Sequence, residues 1–231
     1  MKRIRIASLL VFAVALVWAG CSKQSETAKN ESGSRKDVTE STSKQQTESI
    51  KVPAGKKVAV NIASSNLAWE GKKVTGKHNG VVKIKSGELY VDGQKITGGT
   101  FDIDFSTIEV TDIKDPEMNA KLVSHLKSED FFAASSHPIG KFAITTVEPM
   151  SDDKGHNMKI NGTLTIKGIT KPVSFPAKVT VDGDKVEAVA DLVIDRTLWD
   201  IKFRSGKFFQ DLGDNLIYDD ITIKLDLKAG V

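Results

Sequence analysis

The chain has 231 residues, 39% of them hydrophobic, with 33 basic side chains against 30 acidic ones and a single cysteine. That composition supports a folded domain, and one cysteine excludes an intramolecular disulfide. Without Lys2, Arg3 and Arg5 the basic and acidic residues are equal in number, so the net charge of +3 does not point to nucleic acid, which needs a concentrated basic face.

Residues 1–20 read as a signal peptide. Lys2, Arg3 and Arg5 give a positive start, and Ile6 to Ala19 are almost wholly apolar. The run is short for a membrane-spanning helix, which needs ~20 apolar residues. VWAGC, residues 17–21, resembles the lipobox of bacterial lipoproteins, in which the cysteine is lipidated and becomes the new N-terminus. Cys21 is therefore the expected lipidation site, and the protein is expected to be exported and anchored facing the periplasm or the cell surface. Ser22 follows the cysteine where an Asp would retain some Gram-negative lipoproteins at the inner membrane, which leans the expectation toward the outer membrane. Residues 21–56 then form the lipidated cysteine and a tether. The tether is rich in Ser, Thr, Lys, Glu and Gln and has too little apolar surface to offset the entropy of ordering.

Residues 57–231 are the expected folded domain. GKKVTGKH, residues 71–78, comes close to the phosphate-binding pattern G-x-x-x-x-G-K-[ST]. His78 stands where the magnesium-binding hydroxyl belongs, and the sequence beyond reads as strand, turn, strand rather than the required helix. The stretch is read as a turn feeding an early strand, with Trp69 packed in the core.

Alternation of apolar and polar residues dominates from there. It runs through Val58-Val60-Ile62, Val82-Ile84, Phe101-Ile103-Phe105, Phe142-Ile144-Thr146, Leu164-Ile166, Val173 to Val181, Val186 to Ile194 and Ile221 to Leu227. A period of two with one face buried predicts antiparallel strands. Ser86-Gly87, Asp92-Gly93, Asn161-Gly162 and Asp182-Gly183 are the predicted hairpin turns, because Gly tolerates the positive φ that tight turns need. One segment departs from this pattern. Residues 115–128 space Met118, Leu122 and Leu126 at four, with Asp115 as a cap and Pro116 in the first turn, and predict a helix lying over the barrel. A second short helix or turn is expected near 205–214. The fold class is all-β: an extended antiparallel barrel with one or two short helices.

The blocks LAWEGKKVTGKHNGVVKIKSGELYV, GGTFDIDFSTIEV, KLVSHLKSEDFFAASSHPIGKF, GTLTIKGITKPVSFP, LVIDRTLWDI and SGKFFQDLGDNLIYDDITIKLDLKA occur in this order. Together, over about residues 57–229, they resemble the YceI-like, polyisoprenoid-binding family. Asp200 stands where that pattern has glycine. The resemblance implies a lipocalin-like barrel, an isoprenoid lipid of quinone or polyprenyl type in its interior, no separate cofactor, and a homodimer. Burying a hydrocarbon tail is worth ~25 cal/mol per Å², so such a site needs an apolar lining and few polar groups.

The lining candidates are Phe101, Ile103, Phe105, Phe131, Phe132, Phe142, Trp199, Phe208 and Phe209. His78, His125 and Arg196 are the candidates for meeting a polar head. Core packing and structural pairing are the competing roles for all of them. Ala177, Ala188 and Ala190 are small enough to leave room inside. Three readings compete: a lipid-binding lipoprotein, a ligand-free barrel that binds protein at the surface, and an enzyme acting on isoprenoid lipids. The chain has no G-x-S-x-G elbow, C-x-x-C or H-E-x-x-H, so neither a catalytic residue nor a metal site is expected.

Overall fold

A computed structural model describes residues 53–230. The signal peptide, Cys21 and most of the tether lie outside the described residues. Within them the elements are β1 (Lys56–Ala59), β2 (Asn66–Lys73), β3 (Gly76–Asp92), β4 (Lys95–Val110), α1 (Pro116–Lys127), β5 (Ile139–Pro149), β6 (Met158–Ile166), β7 (Ile169–Asp182), β8 (Lys185–Asp195) and β9 (Ile217–Ala229). The sheet order is β1-β3-β2-β9-β8-β7-β6-β5-β4, every pairing is antiparallel, and β4 returns to β3 to close the ring. β1 and β2 follow one another along the same edge of β3, pairing with Glu88–Val91 and Gly76–Val81. They fill one position of an eight-position barrel. Closure leaves no long unpaired edge, which an open sheet would expose to other chains.

The apolar face of each strand is the inner one. Phe105, Ile160, Leu164, Phe175, Ala177, Ala190 and Leu227 are all buried. Two predicted turns lie inside strands instead. Ser86 and Gly87 mark a register shift in β3 after Ile84, and Asn161 and Gly162 face a shift in β5 between Ile144 and Thr146. These bulges reverse the alternation, so that Ile84 is followed inward by Gly87 and Leu89. The glycines answer to crowding rather than turning. A Cβ on Gly162 would lie 2.5 Å from the Phe142 ring, and one on Gly87 would lie 2.9 Å from Phe101. Asp92-Gly93 and Asp182-Gly183 do stand at tight turns, β3–β4 and β7–β8. The stretch 71–78 is the β2–β3 hairpin, with Gly71 paired to His78, and has no helix to bind a phosphate. Ile62 begins a 3₁₀ turn after β1 and is 44% exposed, so its expected inward place is not realised.

Gly80 is the tightest approach near the lower end of the barrel, where α1 sits. It pairs with Trp69, and a Cβ there would fall 1.8 Å from the Glu109 carbonyl oxygen and 2.8 Å from Trp69 Cζ2. Because backbone has to give way, Gly80→Ala is expected to cost stability at the upper end of the ~1–3 kcal/mol typical of overpacking, read as a lower urea midpoint.

α1 starts as expected: the Asp115 carboxylate accepts from the Met118 N–H at 2.8 Å, and Pro116 occupies the first turn. Only its later turns pack. Leu126 is buried and Leu122 and Val123 lie against the core, whereas Met118 is exposed. Asn119 ties the first turn to the sheet end instead, donating to the carbonyls of Val110 and Ile113 at 2.8 and 3.1 Å. Asp200, in place of the glycine of the family pattern, holds a left-handed conformation (φ 61°, ψ 26°) that ends the 3₁₀ turn Arg196–Trp199. Asp is among the few residues with a side chain that tolerate this region. The segment 205–214 holds turns and the start of a 3₁₀ turn, Gly213–Asn215.

Candidate ligand-binding cavity

The inner faces of β2 to β9 leave an elongated apolar cavity. Its volume is about 110 Å³, and every lining side chain is apolar. Its walls come from strands that the barrel brings together: Leu67, Leu89, Ile96, Phe101 and Ile103 on one side, and Ile144, Ile160, Phe175, Val179, Leu192, Ile223, Leu225 and Leu227 around the rest. Ala177, Ala188 and Ala190 form the small-residue wall that keeps it open. Ala177 and Ala190 face each other across β7 and β8.

A lower chamber of about 50 Å³ adjoins this cavity through shared residues Leu67, Ile103, Leu164 and Ile223. Phe105, Phe132, Ile108, Ile166 and Trp69 help to line it. At the other end a wider, partly polar recess of about 260 Å³ includes Gln94, Asn157 and Thr180 and shares Ile96 and Val179 with the cavity. It lies where β4 and β5 part company, since their pairing runs only from Gly99 to Asp104.

The lining candidates divide accordingly. Phe101, Ile103 and Phe142 line the cavity, and Phe105 and Phe132 stack at 4.8 Å in the lower chamber. Phe142 bridges Phe101 and Phe175, with centroids at 6.0 and 5.8 Å. Phe131 is buried, but it packs with His125 and Phe203 outside the cavity lining. Trp199 is also buried behind the wall, where its Nε1 donates to the Leu164 carbonyl at 3.0 Å. Phe208 and Phe209 are not brought to the cavity. Each is 49% exposed, and the Lys202 ammonium lies 5.1 Å from the Phe208 ring centre. They fall on the long β8–β9 connection, which turns outward.

None of the three polar candidates reaches the lining. His78 sits at the barrel rim with Nδ1 2.8 Å from Asp112. His125 pairs with Asp130 at 3.0 Å and stands edge-on to Phe131 and Phe203. Arg196 is 1% exposed; its guanidinium donates to the carbonyls of Tyr218, Ile201 and Ile217 and pairs with Asp219 at 3.2 Å. Burial pulls the Arg196 pKa down against the opposing pull of Asp219 and Asp195. Each is held by these partners away from the cavity lining.

The sequence profile of the YceI-like domain matches residues 58–229. The chain belongs to the YceI-like family. A YceI protein of Escherichia coli is 38% identical over 66 residues, which cover 29% of this chain and 32% of that relative. A UPF0312 protein of Pectobacterium atrosepticum is 39% identical over a stretch covering the same shares. The chain thus matches about a third of the length of these relatives. Among solved structures, BcnA of Burkholderia cenocepacia superposes with a TM-score of 0.57 at 22% identity, covering 73% of this chain and 98% of its own. A polyisoprenoid binding domain from Saccharophagus degradans, implicated in plant cell wall breakdown, gives 0.56 at 12% identity, covering 75% and 98%. At these identities the likeness establishes the shared fold.

The ion pairs at the rim of this YceI-like barrel carry a pH dependence. Burial alone would raise the Asp112 pKa, but the Asn79 N–H and the His78 ring outweigh it and hold the carboxyl below its usual range. Asp195 behaves likewise: burial works upward, while Lys207 and Thr197 bring it down. A carboxyl with a lowered folded pKa stabilises above the unfolded value and loses that contribution as pH falls through the folded one. The melting temperature is therefore expected to hold from neutral pH to about 4 and fall below it. Asp112→Asn should melt lower than the parent at pH 7 and converge with it near pH 2. A constant gap across that range would remove the charge as the cause.

Proposed function

We propose that the protein is an exported, lipid-anchored carrier that holds an isoprenoid lipid of quinone or polyprenyl type inside its barrel. Cys21 carries the anchor, and residues 22–56 let the barrel stand off the membrane, facing the periplasm or, at the outer membrane, the cell surface. The observation that carries the reading is the continuous apolar cavity kept open by Ala177, Ala188 and Ala190. A long hydrocarbon chain fits such a lining because its transfer from water supplies the affinity without directed contacts. The Saccharophagus relative named for polyisoprenoid binding shares the fold. The reading is one of binding without turnover, and a homodimer belongs to it.

Mass spectrometry of an organic extract of the protein, purified without added isoprenoid, tests it. A stoichiometric isoprenoid is the expected result. An empty extract, with added quinone and polyprenol also failing to raise the melting temperature, would turn the reading to a ligand-free surface module.

A further inference from the structure

The β8–β9 connection departs from what stability alone favours. It carries Phe208 and Phe209, both half-exposed, and their N–H groups donate to the carbonyl of buried Ser205 at 3.1 and 3.0 Å. A fixed turn therefore presents the two rings. Among the described residues Asp200, Arg204 and Asp211 of this connection are three of the five non-glycine positions with positive φ. Arg204, at φ 51°, lacks the short polar side chain that eases that region. A backbone that accepts such strain while leaving two phenyl rings half in water points to a use for the rings.

The rings do not stand alone. The Val74 N–H at the tip of the β2–β3 hairpin donates to the Leu216 carbonyl at 3.2 Å, and a Cβ on Gly206 would lie 3.1 Å from Leu216 Cδ1. Val74 is also half-exposed, so two loops bring apolar side chains together at the lower end of the barrel. Cations surround them. Residues 202–209, KFRSGKFF, hold Lys202, Arg204 and Lys207 and no acid, and the hairpin adds Lys72, Lys73 and Lys77. Asp200, Asp211 and Asp214 lie on the connection outside that run. Lys77 and Lys207 pair with Glu70 and Asp195, but the ammonium groups stand outermost, 60% and 54% exposed against 22% and 28% for the carboxylates. Among the described residues Arg204 has no ion pair, and its guanidinium lies 5.1 Å from the Phe203 ring centre.

We propose that this end of the barrel docks on an anionic lipid surface. Phe208 and Phe209 insert below the headgroups, and Arg204, Lys207 and the hairpin lysines meet lipid phosphates. Apolar rings beside cations are the chemistry of an interface-seeking segment: the rings gain by leaving water, and each cation adds attraction to an anionic bilayer. A second copy of the chain fits worse, because a two-fold contact through these rings would set the same cations against one another. The surface lies outside the barrel, so the proposal is independent of what the cavity holds. It is a contact of the folded domain, separate from the anchor proposed at Cys21.

Hydrogen exchange of the full chain, with Cys21→Ser to remove a lipid anchor, tests the proposal. Exchange is read peptide by peptide, so that binding through residues 1–20 is seen separately. Vesicles of phosphatidylglycerol mixed with phosphatidylcholine are compared with phosphatidylcholine alone. On the anionic vesicles, exchange across 202–217 and 71–77 should slow at least about fivefold, the worth of one cation near such a surface. The β7–β8 turn at the opposite end should not change. Neutral vesicles should give little protection, and high salt should weaken that on the anionic ones. Phe208→Ser combined with Phe209→Ser should abolish it, while strand exchange without vesicles matches the parent and shows the barrel folded. Equal protection on neutral vesicles, protection at the β7–β8 end instead, or protection that survives in the double variant overturns the proposal. Slowing at 202–217 that grows with protein concentration and needs no vesicles would assign the face to a second copy and overturn it as well.

Discussion

Ala188→Phe is expected to abolish lipid retention in a barrel that still folds. Ala188 lies on β8 between Val179 of β7 and Leu227 of β9, and all three side chains line the cavity. A phenyl ring there projects into the 110 Å³ the cavity holds open. Because that space is unfilled, the cost to folding should stay within the ~1–3 kcal/mol of ordinary overpacking. The loss of ligand should be far larger, at least about tenfold in bound isoprenoid per protein, since the ring takes up space that the chain needs. Quantifying extracted lipid beside a thermal melt reads both effects. Ala188→Val, which adds little volume, should retain most of the lipid. Stoichiometric lipid in the phenylalanine variant would mean that the ligand lies elsewhere.

Arg196→Met should cost about 3–5 kcal/mol, the usual result of removing one partner of a buried pair. It leaves the Asp219 carboxylate without its buried partner and strips donors from three backbone carbonyls. At about 2–4 °C per kcal/mol for a domain of this size, the melting temperature should fall by roughly 10 °C or more. Arg196→Lys should recover only part of this, because an ammonium cannot reproduce the planar fork that serves three acceptors at once. Lipid affinity of the folded fraction should be unchanged in both variants, since Arg196 does not line the cavity. A selective loss of binding with intact stability would restore the head-group role that the residue type suggests.

The two results together separate the barrel's wall from its frame, a division the sequence shows only in part. The alternation through Phe101-Ile103 and Ile221 to Leu227 is enough to give antiparallel strands with one buried face. Ala177, Ala188 and Ala190 are legible as an open wall from the size of their side chains. Asp115 and Pro116 mark the start of α1, and motif order over most of the chain carries the family. These signals are local, or they accumulate along the chain, so a single sequence preserves them.

Other features depend on neighbours far away in sequence. Gly162 reads as a turn residue until the Phe142 ring of the adjacent strand is placed against it, and only pairing shows that a bulge at Ser86 reverses the inward face. His78, His125 and Arg196 look alike as unassigned polar groups. Folding gives each a partner, 34 residues on in the case of Asp112 and 23 in the case of Asp219. It sends Phe208 and Phe209 outward, and it sets Trp69, legible along the chain only as a core residue, with its ring edge against Gly80. Strands, their buried face and the family can be read from the chain alone, because period and motif order are written along it. Which side chains meet at the cavity depends on closure of β3 onto β4, because hydrogen-bond partners and free space are properties of the closed ring.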